Sequence, residues 1–84
     1  MTYSVIFNTD LSQVPDSVIA ELQKSLTLVG DSISTIPDTN VFWVSIDDSF
    51  FEITIDHWRF SYIIARKRHE LIVVGVRKLE RQTA

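Results

Sequence analysis

Residues 51–78 read FEITIDHWRFSYIIARKRHELIVVGVRK, and this stretch decides the fold of the chain. Up to Ile55, apolar and polar residues alternate, and the short turn Asp56–His57 leads into a second β-rich run at 58–65. The basic turn Arg66–His69 precedes a third run at 71–76, which is apolar throughout. These runs predict three successive antiparallel strands. The last is expected to be a central strand buried on both faces, because it has no polar alternation.

The N-terminal half adds a strand and a helix. Residues 3–7 are β-branched and aromatic and predict a first strand. Pro15 and the acidic residue after it suit a helix start, and the spacing predicts a helix at about 15–28, with Gly30 just past its end. Its apolar stripe consists of Val18, Ile19, Leu22, Leu26 and Val29. Residues 30–40 are expected to form a loop, and 41–46 a short strand that precedes the first strand of the 51–78 region.

The predicted order of strand, helix and further strands indicates an α+β fold. Eighty-four residues are enough for one domain, so residues 1–84 are expected to form a single unit. In it, the N-terminal strand and helix pack on an antiparallel sheet of about four to five strands. Several of the aromatic residues, Trp58, Phe60 and Tyr62 among them, share one face of a strand. They are expected to form core under the helix rather than a stacking surface for RNA bases.

Composition excludes several kinds of site. The chain has no cysteine, so it has neither disulfides nor a thiol nucleophile. Its two glycines rule out a glycine-rich phosphate loop, and its carboxylates do not follow metal-binding spacings, so neither a cofactor nor a metal is expected. His57 and His69 have no catalytic partner at a recognisable spacing. The first residues lack the charge pattern of a signal peptide, and no apolar run would span a membrane, which predicts a cytoplasmic protein.

Charge is distributed very unevenly along the chain. Residues 59–84 hold seven of the eight Lys and Arg residues but only two of the eleven Asp and Glu residues. The formal net charge of −3 therefore conceals a basic C-terminal part and an acidic N-terminal part. A dipolar molecule of this kind steers charged partners to one face.

Two arginines are the leading candidates for a phosphate site. Arg59 lies in mid-strand, facing away from the aromatic row, and Arg77 ends the last strand. If these two strands are adjacent and antiparallel, both guanidinium groups lie near the same end of the hairpin and could hold one phosphodiester. The alternative is that each arginine pairs with a carboxylate of the same sheet. Asp56, Glu52 and Glu80 are the available carboxylates.

A second basic group is formed by Arg66, Lys67 and Arg68, with Arg81 nearer the C-terminus. These side chains are candidates for attracting a nucleic-acid backbone through charge alone. The alternative is that the turn at Arg66–His69 is a solvated hairpin tip, whose charges prevent edge-to-edge pairing of sheets. It lies at the opposite end of the strands from Arg59 and Arg77.

The stretch from Phe51 to Tyr62, the basic turn and the apolar strand ending in Gly75-Val76-Arg77 resemble the RelE/ParE toxin superfamily. The likeness covers about residues 50–78, and the opening strand and helix fit it as well. It implies a bacterial toxin-like protein neutralised by an antitoxin protein. Some members of the superfamily cleave ribosome-bound mRNA, with the ribose 2′-OH as nucleophile, and others inhibit DNA gyrase.

Carried over to this chain, the resemblance implies that Arg59 and Arg77 are phosphate ligands at the catalytic site. Glu52 and Thr54 stand where RNA-cleaving members often have lysines, and the C-terminal tyrosine or histidine is absent. Three functions therefore remain open: a toxin acting on ribosome-bound mRNA, a non-catalytic binding module such as a gyrase-type inhibitor or degenerate homologue, and a plain oligomerising domain that forms a homodimer.

Overall fold

The structure, a computed structural model, describes residues 3–37, 40, 43 and 49–79. Its elements are β1 (Ser4–Phe7), α1 (Asp16–Ile33), β2 (Phe51–Ile55), β3 (Trp58–Ala65), a 3₁₀ turn (Arg66–Arg68) and β4 (Glu70–Lys78). The four strands form one sheet in the order β1-β4-β3-β2. The α+β class is thus confirmed, and β4 is a central strand as predicted. The prediction that β4 is buried on both faces is wrong, because Leu71 and Val73 are buried on one face whereas Glu70 and Ile72 on the other are partly exposed. The strand predicted at 41–46 lies outside the described residues, apart from Trp43.

The prediction of an antiparallel sheet is wrong for β1. Strands β2, β3 and β4 are antiparallel, but β1 runs parallel to β4, with Val5 opposite Leu71 and Phe7 opposite Val73. The sheet is therefore mixed. A helix lies between β1 and the later strands, and a crossover of that kind allows parallel pairing, which a short hairpin does not.

Helix α1 extends past the predicted stop at Gly30 and ends at Ile33, so the first residues of the predicted loop are helical. Gly30 is buried within the helix, and a Cβ atom built on it would lie 2.8 Å from the Cβ of Tyr3. This glycine allows close approach of α1 to the residue that precedes β1, rather than ending the helix. The apolar stripe continues to Ile33, which is buried, and the helix ends before polar residues 34 and 35.

One face of the sheet packs against α1 and forms the core. Its fully buried members are Leu22, Leu26, Phe60, Leu71 and Val73. The predicted aromatic row lies here: Trp58, Phe60 and Tyr62 all belong to this cluster or pack against it. The prediction that they form core under the helix is confirmed.

The opposite face of the sheet, here called the second face, carries the alternate residues of all four strands. It consists of Ser4, Ile6, Glu52, Thr54, Arg59, Ser61, Ile63, Ala65, Glu70, Ile72, Gly75 and Arg77. The register shifts between Ser61 and Tyr62, where β4 has one extra residue, Val74. This bulge keeps Val73 and Val76 on the core face and Gly75 and Arg77 on the second face.

Burial of Tyr62 predicts a loss of stability at alkaline pH. The Tyr62 side chain is 8% exposed, and burial raises the pKa of its hydroxyl above the ordinary value of 10.0. The raised pKa means that the folded state retains this proton more strongly than the unfolded state. The protonated Tyr62 hydroxyl therefore contributes its full stabilisation below the pKa that it has in the unfolded chain. This contribution is lost as the pH rises through the pKa that it has in the folded protein. We expect the free energy of unfolding, measured by urea denaturation, to fall above about pH 10.

The comparison protein for that measurement is Tyr62→Phe, which removes the ionisable group and keeps the ring. The fall between neutral and alkaline pH should be shallower in this variant than in the wild type. Equal pH dependence of the two proteins would assign the effect to other groups.

Candidate functional site

The register of β3 and β4 places Arg59 directly opposite Arg77 on the second face. Strand β2 continues the same row, because Thr54 lies opposite Arg59. Directly opposed residues of antiparallel strands have Cα atoms about 4.5–5.5 Å apart. The two arginines are thus close enough for both guanidinium groups to reach one anion. We call Thr54, Arg59 and Arg77 the arginine row.

A carboxylate partly balances this row. The Nε atom of Arg59 lies 3.8 Å from Oε2 of Glu52, and the two side chains are 38% and 57% exposed. This contact is long and solvated, so its contribution to stability is small. Within the residues that the structure describes, Arg77 forms no ion pair. Of the predicted carboxylate partners, Glu52 therefore contacts Arg59, whereas Glu80 lies outside the described residues.

Thr54 is the member of the row that was not predicted as a site residue. The signal was present in the sequence: a two-residue turn at Asp56–His57 pairs Ile55 with Trp58 and therefore Thr54 with Arg59. Its exposed hydroxyl can donate a hydrogen bond to a phosphate oxygen beside the guanidinium groups.

The second basic group lies far from the arginine row. Arg66, Lys67 and Arg68 form the 3₁₀ turn after Ala65, and six residues of extended strand separate Arg59 from Ala65. At about 3.3 Å per residue, the two basic groups are about 20 Å apart. The structure thus does not bring them into one site, and Arg81 lies outside the described residues.

Arg66 makes a contact within the protein. Its guanidinium carbon lies 4.9 Å from the ring centroid of Trp43, a cation–π distance. Trp43 is 6% exposed, and its indole N–H donates to the carbonyl oxygen of Pro37 at 3.0 Å. Arg66 therefore holds Trp43 against the end of β3, which is a structural role that the sequence did not indicate.

We expect Arg66→Ala to lower the free energy of unfolding by about 1 kcal/mol, because the ring of Trp43 loses its cation and cover. Lys67→Ala is the matched control, since Lys67 is exposed in the same turn. Urea denaturation of both variants should show the loss only for Arg66→Ala. Equal stabilities would contradict a structural role for this arginine.

His57 and His69 lie at opposite ends of β3, and neither forms a side-chain hydrogen bond or ion pair with another described residue. His69 adopts a left-handed conformation with φ of 55°, and its ring packs edge-on against Tyr3 with centroids 5.2 Å apart. His57 is exposed, and its carbonyl oxygen accepts a hydrogen bond from the N–H of Leu79. Both residues thus have identifiable roles in closing turns of the sheet.

Neither metal binding nor membrane insertion gains support from the described residues. In that part of the chain, His, Asp and Glu side chains form no cluster of three or more that could hold a metal ion. Among these residues, no helix has both the length and the apolar composition needed to cross a membrane.

Comparisons with family models, with curated proteins and with solved structures give no match. The resemblance to the RelE/ParE superfamily therefore stays a prediction.

Proposed function

We propose that this chain is a toxin-like component of a toxin–antitoxin pair and that it contacts ribosome-bound mRNA through Arg59 and Arg77. The observation that carries the proposal is the direct cross-strand pairing of these two arginines. Like charges directly opposite each other on a sheet are destabilising, by about 0.2–1 kcal/mol. A bound phosphate group converts this repulsion into two charge-assisted contacts, so the arrangement favours an anionic ligand.

The arginine row fits the phosphodiester backbone better than a base. Guanidinium groups present paired N–H donors in a rigid plane, and two of them can hold both non-bridging oxygens of one phosphate. A guanidinium group has N–H donors and no acceptor, so neither side chain can accept the proton of a ribose 2′-OH. In this proposal Arg59 and Arg77 position the phosphate and stabilise the negative charge that develops on it during cleavage.

The test is induced expression of the full chain in a bacterial host, with growth and pulse-labelled protein synthesis as readouts. The wild type should arrest translation rapidly, with transcripts cut in translating ribosomes. The Arg59→Ala/Arg77→Ala variant should leave growth and labelling unchanged.

The matched control is Lys67→Ala/Arg68→Ala, which removes two positive charges at the opposite end of the same hairpin. It should weaken the arrest without abolishing it, because it alters long-range attraction and leaves the arginine row intact. Undisturbed growth while folded wild-type protein accumulates would contradict the proposal. So would equal loss of arrest in the two double variants.

A second candidate is a non-catalytic binding module, of the gyrase-inhibitor type or a degenerate homologue. The contact between Glu52 and Arg59 favours it, because a carboxylate beside the site repels phosphate and offsets one arginine. The absence of lysines from the strand positions that RNA-cleaving relatives use points the same way.

Toxicity without transcript cleavage, together with inhibition of supercoiling by purified gyrase, would select this second candidate. Glu52→Gln separates the two further. It should strengthen binding of a short single-stranded RNA to the purified protein if the arginine row is a phosphate site. It should leave gyrase inhibition unchanged if Glu52 only supports the fold.

A further inference from the structure

The second face of the sheet has a pattern that is complementary to itself. Across β4 and its neighbours, its residues form four successive rows, each perpendicular to the strands. The first row holds Ser4, Glu70 and Ala65, the second Ile6, Ile72 and Ile63, the third Gly75, Ser61 and Glu52, and the fourth the arginine row. Along β3 and β4 the face thus runs from a row with Glu70, through a large apolar row and the small residues Gly75 and Ser61, to the two arginines, and Glu52 lies at the β2 end of the third row.

The large apolar row lies outside the core. Ile6, Ile63 and Ile72 point away from α1, and Ile6 is 38% exposed. Beside them, Phe50 is 71% exposed, and the register of β2 and β3 continued by one residue would place it next to Ile63. Three aligned isoleucines on a solvated sheet face form an apolar patch of the kind that marks an interaction surface.

The row of small residues next to it leaves space above the sheet. A Cβ atom built on Gly75 would meet only Ser61 within 4 Å among the described residues, at 3.7 Å. The large apolar row therefore lies beside a shallow groove over Gly75 and Ser61. A partner that packs on both must place large side chains over the groove and small residues over the isoleucines.

We propose that the partner on this face is a second copy of the chain, related by a two-fold axis that lies between the sheets and perpendicular to the strands. Such an axis reverses strand direction and stacks β4 on β4 of the other copy. If it passes at the level of Val73 and Val74, the four rows meet in reverse order. Ile72 then lies over Gly75 of the other copy, and Arg77 lies over Glu70 of the other copy.

Charge complementarity supports this two-fold axis, perpendicular to the strands, over an axis that runs along the strands. Rotation about an axis along the strands would stack the two arginine rows on each other, which is repulsive. The perpendicular axis gives two Arg77–Glu70 contacts between copies. Among the described residues of the monomer, the ion-pair partner of Glu70 is Arg68, whose Nη1 lies 4.0 Å from Oε1 of Glu70, with the Arg68 side chain 75% exposed.

The size of the face predicts a weak dimer. Four strands spaced about 4.8 Å apart and about six residues long present a face of about 19 Å by 20 Å. Two such faces give about 800 Å² in total, below the roughly 1,200 Å² of stable complexes, so weak association is expected. The chain is therefore expected to change from monomer to dimer with concentration. This inference does not depend on the proposed contact with RNA.

Charge-swap variants of the full chain, followed by sedimentation equilibrium over a range of protein concentrations, test the dimer. Arg77→Glu and Glu70→Arg should each raise the dissociation constant about tenfold or more, because each places like charges opposite each other. The combined Arg77→Glu/Glu70→Arg variant should return it to near the wild-type value. Lys24→Glu and Glu21→Arg make the same charge changes on the exposed side of α1 and should have little effect.

Ile63→Ser provides a second route should a charge variant fail to fold, as judged by circular dichroism. It removes apolar contact from the large row and should also raise the dissociation constant. A wild type that stays monomeric at millimolar concentration would overturn the dimer, as would assembly that continues beyond two copies. Failure of the combined swap to restore association, with both single variants folded, would overturn the antiparallel arrangement. The dimer covers the arginine row, so dimerisation and phosphate binding compete for Arg77. Sedimentation and translation arrest are separate measurements, so either proposal can fail while the other stands.

Discussion

Phe60→Ala should lower the free energy of unfolding by about 3–5 kcal/mol, which is the largest effect expected of a single truncation in this chain. Phe60 is completely buried at the middle of β3, opposite Ile53 on one side and Val76 on the other. Removing its ring leaves a cavity that the paired backbone of three strands cannot easily close. For a domain of this size, the loss is a large part of the total stability.

Phe50→Ala is the matched control, because it also truncates a phenylalanine, and Phe50 is 71% exposed. In urea denaturation at low protein concentration, it should differ from the wild type by no more than about 0.5 kcal/mol. Similar losses in the two variants would mean that the core does not lie between α1 and the sheet. At high concentration Phe50→Ala also reports on the second face, since Phe50 adjoins the large apolar row.

Gly30→Val is expected to destabilise the chain by about 3 kcal/mol through overpacking of the contact between α1 and the residue before β1. Even one methyl group at this position would lie 2.8 Å from the Cβ of Tyr3, closer than two carbon atoms can approach. A glycine in mid-helix normally costs about 1 kcal/mol relative to alanine, so its replacement would otherwise be favourable. The steric effect should outweigh this gain because Tyr3 is buried and α1 is held along its whole apolar stripe.

In contrast to Gly30→Val, the Gly75→Ala variant should either leave the free energy of unfolding unchanged or raise it. Its added Cβ would lie 3.7 Å from the nearest atom, which is an ordinary contact, and its backbone needs no left-handed conformation. We expect a change between zero and a gain of about 0.5–1 kcal/mol for the monomer. Thermal or urea unfolding of both glycine variants decides the matter, and a stabilised Gly30→Val would contradict the close approach of α1 to Tyr3.

Local sequence pattern was sufficient to predict the β2-β3-β4 meander. Alternation in 51–65 assigned each residue to a face, and short polar turns set the pairing, so Trp58–Ala65 is a strand with the predicted bounds. The same alternation predicted that Arg59 faces away from the aromatic row. Adjacent strands alone do not place Arg59 directly opposite Arg77. This pairing also depends on the extra residue Val74 in β4, which shifts the register. Nothing in a six-residue apolar run indicates which residue is extra.

The errors concern interactions between distant parts of the chain. Gly30 was interpreted from its local propensity as a helix stop, but its role is determined by Tyr3, which is distant in sequence. The parallel pairing of β1 with β4 is also a long-range property, as is the stacking of Arg66 on Trp43. The contact of Arg66 with Trp43 could not be predicted from its charge, and its role as a nucleic-acid ligand stays a prediction.

The parallel pairing of β1 with β4 affects how the chain folds as it is synthesised. Phe7 finds its strand partner only at Val73, so β1 stays unpaired in the sheet until that residue has emerged from the ribosome. At about 5–20 residues per second, that interval is several seconds. During it, the apolar residues of β1 and α1 lack most of the sheet that covers them. Closing a loop of this length also makes folding slow relative to a helical protein of equal size. We therefore expect the nascent chain to be more exposed to chaperones and proteases than its small size suggests.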